Sequence, residues 1–324
     1  MKVGNMNDRQ SPKYRYDLLN WFRGLCMGAA DIVPGVSGGT IALLLGHYER
    51  LVTAISHVDL RLFRLLRTRR WREAAEHMDL RFLIALAVGI ATGIVALASL
   101  MHHLLEHHLS GTYAVFNGLV LASVFLVVRR IGRWTAPRWV LFALGALVAF
   151  QLCRLTPMHT PLTPVTAFLS ATLAICAMIL PGISGAFVLL LLGVYHPVTE
   201  LIKGLPRGQI TVEGLLLVGL FLAGCATGLL LFSRLLRWLL EHRHDATLCA
   251  LVGLMLGSLY RIWPFQAPTP STAELEFKLR HFEHHMPGSA GEALVAVGLA
   301  TIAGAATYAL EKLAERLAPE LPSS

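Results

Sequence analysis

The sequence predicts an all-α polytopic membrane protein built from two inverted repeats, and three observations support this prediction. The chain of 324 residues is 55% hydrophobic and only 15% charged, which is more apolar surface than a soluble domain of this size can bury. Six apolar segments can, with their flanks, cross the roughly 30 Å hydrocarbon core of a bilayer as helices. A short proline-glycine motif also occurs twice, so each repeat is expected to hold one broken hairpin and three transmembrane helices.

The repeated motif is Pro-Gly-x-Ser-Gly, and Leu-Leu-Leu-Gly-x-Tyr follows it in both copies. It spans residues 34–48 and again residues 181–195, and 9 of the 15 aligned positions are identical. A helix breaker at equivalent places in two apolar segments is typical of the broken helices that form binding sites in duplicated transporters. Each motif therefore predicts a re-entrant hairpin, whose irregular backbone must be covered by protein or water.

The order of the segments sets the repeat boundaries, at residues 1–160 for the first repeat and 161–324 for the second. The first repeat is expected to contain a hairpin at about 18–50 and spans at about 82–101, 113–128 and 139–153. The second is expected to contain a hairpin at about 165–195 and spans at about 214–233, 247–260 and 293–310. Because three spans follow a hairpin that returns to its own side, the second repeat starts from the opposite side. The two repeats form one integrated membrane domain.

Arginine and lysine predict the orientation. The connector of residues 50–81 carries eight arginines, and the N-terminal segment through Arg23 carries five basic residues. The positive-inside rule places both of these segments, together with the C-terminus, in the cytoplasm. The segment between them must then enter the membrane and return. A full span over residues 20–49 would instead export the arginine-rich connector, which makes it the weaker alternative.

Small and hydroxyl residues follow each proline break and form a candidate substrate site. They are Ser37, Gly38, Gly39 and Thr40 in the first copy, and Ser184 and Gly185 in the second. These residues stand where the returning half-helix begins, and a helix start offers unpaired N–H donors and the positive end of the dipole to an anion. The alternative that stays open is that the glycines serve close helix packing.

Five further residues are candidates for coupling or gating, because they break the hairpins, close the motifs or place charge in the membrane. They are Asp31, Pro34, Pro181, Tyr48 and Tyr195. An ionisable side chain inside an apolar segment costs at least roughly 2.5 to 3.5 kcal/mol. At the same position of the second repeat stands Met178, so only one hairpin holds an acid. Asp31 either carries a coupling proton or cation, or caps the hairpin, or pairs with Arg23.

The residues around the first break resemble a known family signature. The stretch from Gly24 to Thr40 reads Gly-Leu-Cys-Met-Gly-Ala-Ala-Asp-Ile-Val-Pro-Gly-Val-Ser-Gly-Gly-Thr, and Gly46 to Leu51 continues it. It is similar to the signature of the PopT-type polyprenyl-phosphate transporters, and the second motif copy extends the resemblance over nearly the whole chain. The resemblance implies a flippase of the bacterial inner membrane that returns undecaprenyl phosphate, the lipid carrier of peptidoglycan precursors, to the cytoplasmic leaflet.

The expected partners follow from this chemistry. A phosphate monoester carries about −1.5 to −2 charges and strong acceptor oxygens, which suits two helix starts with Arg23 as a cationic contact. The partners are then a polyprenyl-phosphate lipid, the membrane, and a coupling proton or cation. No cofactor or metal is expected. Nucleic acid is not expected either, because the basic residues flank membrane spans and form no soluble basic domain.

Two other functions stay open from the residues alone. A transporter or channel for a small anion or ion would use the same fold, whereas an integral-membrane lipid phosphatase would need a nucleophile and an acid-base pair that the sequence does not display. His103, Glu106 and His107 match the H-x-x-E-H metalloprotease pattern. No third ligand is apparent, and Trp238 stands at the position of His103 in the second repeat, so a transporter and not an enzyme is predicted.

Overall fold

The computed structural model describes residues 11–33, 36–158, 160–204, 211–270 and 282–317, together with residues 272, 274, 277 and 280. Within these residues the chain is almost entirely helical. Pro34 and Gly35, at the first predicted break, lie outside the described residues.

The helices follow the predicted order in both repeats. The first repeat contains α1 (Ser11–Asp31), α2 (Gly38–Leu44), α3 (Tyr48–Ser56), α4 (Leu60–Arg67), α5 (Trp71–His77), α6 (Leu80–His107), α7 (Leu109–Val128) and α8 (Ala136–Arg154). The second contains α9 (Pro164–Ile179), α10 (Gly185–Leu191), α11 (Tyr195–Gly204), α12 (Val212–His242), α13 (His244–Ser258) and α14 (Ala290–Leu317). A 3-10 turn at Leu259–Ile262 follows α13. Two short strands that the sequence did not predict, β1 (Gln266–Pro268) and β2 (Phe282–His284), pair antiparallel before α14.

Six helices of the described chain are long and apolar enough to cross a membrane. They are Leu80–His107, Leu109–Val128, Ala136–Arg154, Val212–His242, His244–Ile262 and Ala290–Ala309. Each coincides with one of the six predicted spans, which confirms a polytopic all-α membrane protein. Apolar side chains on these helices point away from the protein, as Val95 and Val212 do with 81% and 86% of their surface exposed. Such exposure suits contact with lipid.

The long helices pack in pairs that match the duplication. Helix α1 packs along α6, and α9 packs along α12. Glycines allow these close contacts: a Cβ on Gly89 of α6 would overlap the carbonyl of Trp21 in α1, and a Cβ on Gly224 of α12 would overlap the carbonyl of Phe168 in α9. These equivalent glycines therefore serve helix packing, as small residues commonly do in membranes.

The remaining long helices pair across the two repeats. Helix α7 packs along α14, and α13 packs along α8. A Cβ on Gly118 of α7 would overlap the carbonyl of Ala300, and a Cβ on the equivalent Gly253 of α13 would overlap the carbonyl of Phe142. Each of these pairs joins a helix of the first repeat to a helix of the second.

Both broken segments turn back on themselves. In the second, Met158 N donates to Leu191 O at 2.7 Å, so the residues before α9 meet the end of α10. Helices α10 and α11 then bend by 113°. In the first, Arg23 Nη2 donates to Leu45 O at 3.3 Å, which places the end of α2 beside the middle of α1. The returning helices are short, with 7 residues each.

Candidate functional site

The tips of the two hairpins touch each other. We call residues 31–33 and 36–40 the first tip and residues 178–185 the second tip. Ser37 Oγ lies 3.4 Å from both Met178 O and Leu180 O, within reach to donate to either, and Tyr48 OH donates to Ile179 O at 3.0 Å. These carbonyls belong to the end of α9, where a helix leaves its last C=O groups without internal partners. Hydroxyls of the first hairpin thus satisfy the broken end of the second.

Thr40 makes a hydrogen bond in which the second tip is the donor. Its Oγ1 accepts from Gly182 N at 2.9 Å. Gly182 has a φ of +88°, which glycine adopts at little cost. A Cβ there would also lie 2.9 Å from the Cα of Met255 in α13. The second motif therefore makes a tight turn after Pro181 that only glycine fits, and Thr40 holds that turn in place.

The first tip has its own anion at the start of α2. Gly38 N donates to Asp31 Oδ1 at 2.6 Å, and Gly39 N donates to Ser37 Oγ at 3.1 Å. A Cβ on Gly38 would lie 2.8 Å from Asp31 Oδ2. A carboxylate that accepts from the first N–H of a helix is a stabilising cap. Asp31 therefore occupies the position that the sequence predicted for the substrate anion.

Gly39 brings the two tips into backbone contact. A Cβ on this residue would lie 2.9 Å from Ile179 O. All of the described residues from Val36 to Leu44 are buried. Gly39 is therefore closely packed in this structure, and its predicted contact with substrate stays a prediction.

Arg23 forms no ion pair with Asp31 among the described contacts. Its guanidinium donates to Asn20 Oδ1 at 3.1 Å and to Leu45 O, so it supports the far end of α2. Beside this end His47 is buried: its Nε2 lies 3.3 Å from Met27 Sδ, and its Nδ1 has no hydrogen-bond partner in the described part of the chain. Sequence analysis did not single out His47. The available signal was that the aligned residue of the second copy is the apolar Val194.

The start of α10 differs from the start of α2. Ser184 stands at the N-cap, but its hydroxyl makes no capping hydrogen bond. Met178 takes the place of Asp31, with 46% of its surface exposed. Gly185 is buried, and a Cβ on it would lie 2.7 Å from Ala174 O in α9. The second tip therefore begins its returning helix without a side-chain cap.

Tyr195 lies at a separate cavity of about 620 Å³, which we call the outer cavity. Its described lining residues are Leu155, Pro157, Met158, Thr160, Pro161, Phe187, Leu190, Leu191, Gly193, Tyr195, His196, Arg261 and Arg280. The equivalent Tyr48 is 2% exposed and bonded to Ile179, so the two motif tyrosines have different surroundings. Sequence analysis assigned no role to Arg261; the available signal was that it is one of only six among the 28 basic residues that fall on the predicted outer side.

The H-x-x-E-H motif ends α6 and takes part in structural contacts. Glu106 Oε2 accepts from Arg280 Nη1 at 2.8 Å. The rings of His103 and His107 stack with their centroids 4.4 Å apart. Among the residues described, no group of three or more His, Cys, Asp or Glu side chains is arranged to hold a metal ion.

The six candidate spans and the two broken segments whose tips are in contact define a polytopic all-α membrane protein. Residues 27–276 match the family model described as undecaprenyl phosphate translocase-like. The chain belongs to this family, so the resemblance seen in the signature from Gly24 to Leu51 is confirmed.

Two relatives agree with the family match. A polyprenyl-phosphate transporter of Vibrio cholerae is 39% identical over 308 residues, which cover 92% of this chain and 97% of the relative. A polyprenyl-phosphate transporter of Staphylococcus aureus is 31% identical over 270 residues, which cover 77% and 87%. No solved structure matches the chain. Both relatives are named as transporters, which agrees with the prediction of a transporter and not an enzyme.

Proposed function

We propose that this protein translocates undecaprenyl phosphate, or a polyprenyl phosphate of similar structure, across the bacterial inner membrane for reuse in cell-wall polymer synthesis. The observation that carries this proposal is the family match over residues 27–276, together with 39% identity to a polyprenyl-phosphate transporter along nearly the whole chain. The fold suits such a substrate. A prenyl chain stays in lipid, whereas its phosphate needs polar groups held inside the membrane by covered backbone.

The membrane arrangement that we propose is an inverted repeat with both termini in the cytoplasm. Two sets of contacts support it. The base of the first hairpin lies near the arginine-rich connector of residues 50–81, where His244 bonds Glu49 at 2.8 Å. The base of the second hairpin lies near the pair of Glu106 and Arg280. Helix α6 has 28 residues and separates the two sets by about 40 Å.

Thiol labelling tests this arrangement. The five native cysteines are replaced, and single cysteines are introduced at Arg67 and at Ser110. In intact cells an impermeant reagent is expected to label position 110, and to label position 67 only after the membrane is permeabilised. Labelling of position 67 in intact cells would contradict the proposed orientation, and its labelling together with protection of a cysteine near the N-terminus would contradict the inverted repeat.

The phosphate is proposed to bind between the two tips. Its contacts are the residues predicted from the sequence, Ser37, Gly38, Gly39, Thr40, Ser184 and Gly185, with Arg23 receiving it at the cytoplasmic side. The start of α10 supports this, because the Ser184 hydroxyl does not cap it with a hydrogen bond. At the start of α2 the phosphate must compete with Asp31 for Gly38 N.

This competition suggests how a proton is coupled to transport. The Asp31 carboxylate and a phosphate carry like charges, so they cannot occupy the same helix start together. A proton on Asp31 removes its charge and weakens its bond to Gly38 N, which frees that donor for the substrate. Pro34, Pro181, Tyr48 and Tyr195 are proposed to set the hairpin positions between which the substrate passes.

Reconstitution in liposomes tests the function directly. Labelled undecaprenyl phosphate is incorporated, and its exchange between leaflets is compared with that in empty liposomes, with labelled inorganic phosphate as the test for a small-anion transporter. Folded protein is expected to accelerate exchange of the lipid and to leave inorganic phosphate outside. Exchange at the empty-liposome rate would overturn the proposed function.

The variant Asp31→Asn tests the coupling in the same liposomes. Asparagine is nearly as good a cap as aspartate but cannot ionise. We expect equilibrium exchange to survive and the response to a pH gradient to be lost. A wild-type response to the gradient in this variant would remove Asp31 from the coupling step.

A further inference from the structure

We propose that the outer cavity is a docking site where the phosphate headgroup of the lipid substrate is first held, with Arg261 as its main cationic contact. This inference rests on the proposed function, because it assigns a second position to the same substrate. The cavity lies at the end of the bundle where Glu106 pairs with Arg280, away from the arginine-rich connector. It is therefore reached from the side opposite the cytoplasmic connector.

Arg261 is placed to bind an anion. It is half-buried, and its guanidinium carbon lies 5.0 Å from the centre of the Phe187 ring. A guanidinium stacked on an aromatic ring keeps its in-plane N–H groups directed outward, in the fork that matches phosphate oxygens. Among the described residues Arg261 forms no ion pair with a carboxylate. A partly desolvated cation with no counter-ion in the described part of the chain favours an anionic ligand.

The surroundings of Arg261 add positive charge. The described lining of the outer cavity contains no acidic side chain, whereas His196 and Arg280 contribute to it. Arg280 is bonded to Glu106, so Arg261 supplies the uncompensated charge. Its field reaches the neighbouring strand β2, where burial, Arg261 and His285 together lower the pKa of His284 below its usual value. The cavity therefore has the charge that a phosphate monoester requires.

The shape of the cavity connects it with the second tip. Phe187, Leu190 and Leu191 of α10 line it, and Phe187 lies two residues after the start of that helix at Gly185. Its apolar wall can hold the first prenyl units while Arg261 holds the phosphate. A headgroup that leaves Arg261 along α10 would reach the uncapped helix start, which is the proposed transport site.

The two repeats differ at this point, which argues that the outer site is single. Phe187 is the counterpart of Thr40, whose hydroxyl bonds the second tip. Arg261 is the counterpart of Leu126, which is 4% exposed. No equivalent arginine-aromatic pair can therefore form at these positions of the first repeat. The asymmetry fits a protein that collects its substrate from one side.

Binding to the purified full-length protein tests the site. The probes are farnesyl phosphate, farnesol and inorganic phosphate, and the variants are Arg261→Gln and the control Arg154→Gln. Arg154 is exposed and also stacks on an aromatic ring, with its guanidinium carbon 5.5 Å from the Phe150 centroid, but it does not line the cavity. Arg261→Gln is expected to weaken binding of farnesyl phosphate tenfold or more and to leave farnesol unaffected, whereas the control binds like the wild type.

Two outcomes of this measurement would overturn the inference. Equal affinity of the wild type and Arg261→Gln for farnesyl phosphate would remove Arg261 from the site. Inorganic phosphate bound as tightly as farnesyl phosphate would show a site for free phosphate and not for a lipid headgroup. Binding of farnesyl phosphate well above that of either farnesol or inorganic phosphate supports the lipid source.

A charge-rescue experiment tests the side and the role in transport. In a protein without its native cysteines, Arg261→Cys is treated from outside with an impermeant cationic or an impermeant anionic methanethiosulfonate. The cationic reagent is expected to restore uptake of undecaprenyl phosphate from the outer leaflet, and the anionic reagent is not. The reagents act on protein that is already folded, so folding does not enter the comparison. Full transport by untreated Arg261→Cys overturns the inference alone, whereas a wild type without transport overturns the proposed function.

Discussion

The two hairpins share the Pro-Gly-x-Ser-Gly motif, yet their tips use it differently. At the first tip Asp31 and Ser37 accept from the first two N–H groups of α2. At the second tip Ser184 makes no such bond, and Met178 stands where the first tip has its acid. The first tip is thus closed by its own side chains, whereas the second depends on hydroxyls from the first.

This difference separates what the motif determines from what its flanks determine. Proline and glycine fix the backbone break, because one removes a donor and the other permits a tight turn. The charge of the first tip and its bond to the second tip come from Asp31 and Thr40, which differ from their counterparts Met178 and Phe187 in the second copy. A duplicated backbone can in this way hold one helix start that is capped by an acid and one without a side-chain cap.

The largest difference in stability that we expect is between alanine substitutions at two equivalent glycines. Gly46 and Gly193 follow the returning helices with φ values of +70° and +73°. Alanine at either position costs about 1 to 2 kcal/mol for the left-handed backbone. At Gly193 the added Cβ would also overlap Met158 O, whereas at Gly46 the nearest atom is Arg130 Nη1 at 3.9 Å.

Thermal unfolding of the purified variants in detergent measures this difference. Gly193→Ala is expected to lower the unfolding temperature far more than Gly46→Ala, because the clash adds to the backbone strain. Equal losses would show that the segment before α9 can move away, and that the second hairpin is held less firmly at its base than the first.

The sequence predicted the spans and the breaks for physical reasons that are local. A stretch of about 20 apolar residues has few alternatives to a membrane helix, and each span, for example residues 82–101, was found within a longer helix. The second break was predicted because Pro181 and Gly182 interrupt such a stretch. The first break at Pro34 is predicted in the same way, and its residues lie outside the described part of the chain.

The chemistry of the tips could not be predicted, because it depends on contacts between distant residues. Ser37 reaches Met178 across 141 positions, and Thr40 reaches Gly182 across 142. The motif alone suggested free N–H donors at both helix starts. In the structure, Asp31 and Ser37 accept hydrogen bonds from the first N–H groups of α2. Arg261 was missed for the same reason, since the Phe187 ring beside it belongs to α10, which is distant from Arg261 in the sequence.

A smaller effect is expected from the bond that joins the tips. In Thr40→Val the shape is kept but Gly182 N loses its acceptor, and a buried N–H without a partner costs about 1 to 3 kcal/mol. The control is Thr92→Val, because Thr92 Oγ1 bonds Val88 O within its own helix. Thr40→Val is expected to lower the unfolding temperature and the control to leave it nearly unchanged. If both variants unfold at the wild-type temperature, the contact between the tips contributes little to stability.

The smallest effect is expected from the two motif tyrosines, and it separates their roles. Tyr48→Phe removes the donor to Ile179 O and is expected to cost about 1 kcal/mol. The cost is smaller than for Thr40→Val because a buried carbonyl tolerates a missing partner better than a buried N–H does. Tyr195→Phe is expected to leave stability unchanged, since no hydrogen bond of its hydroxyl is seen in the described chain, where it lines the outer cavity. Its effect should appear in binding of farnesyl phosphate instead. A Tyr195→Phe variant as destabilised as Tyr48→Phe would mean that the two hairpins are anchored alike after all.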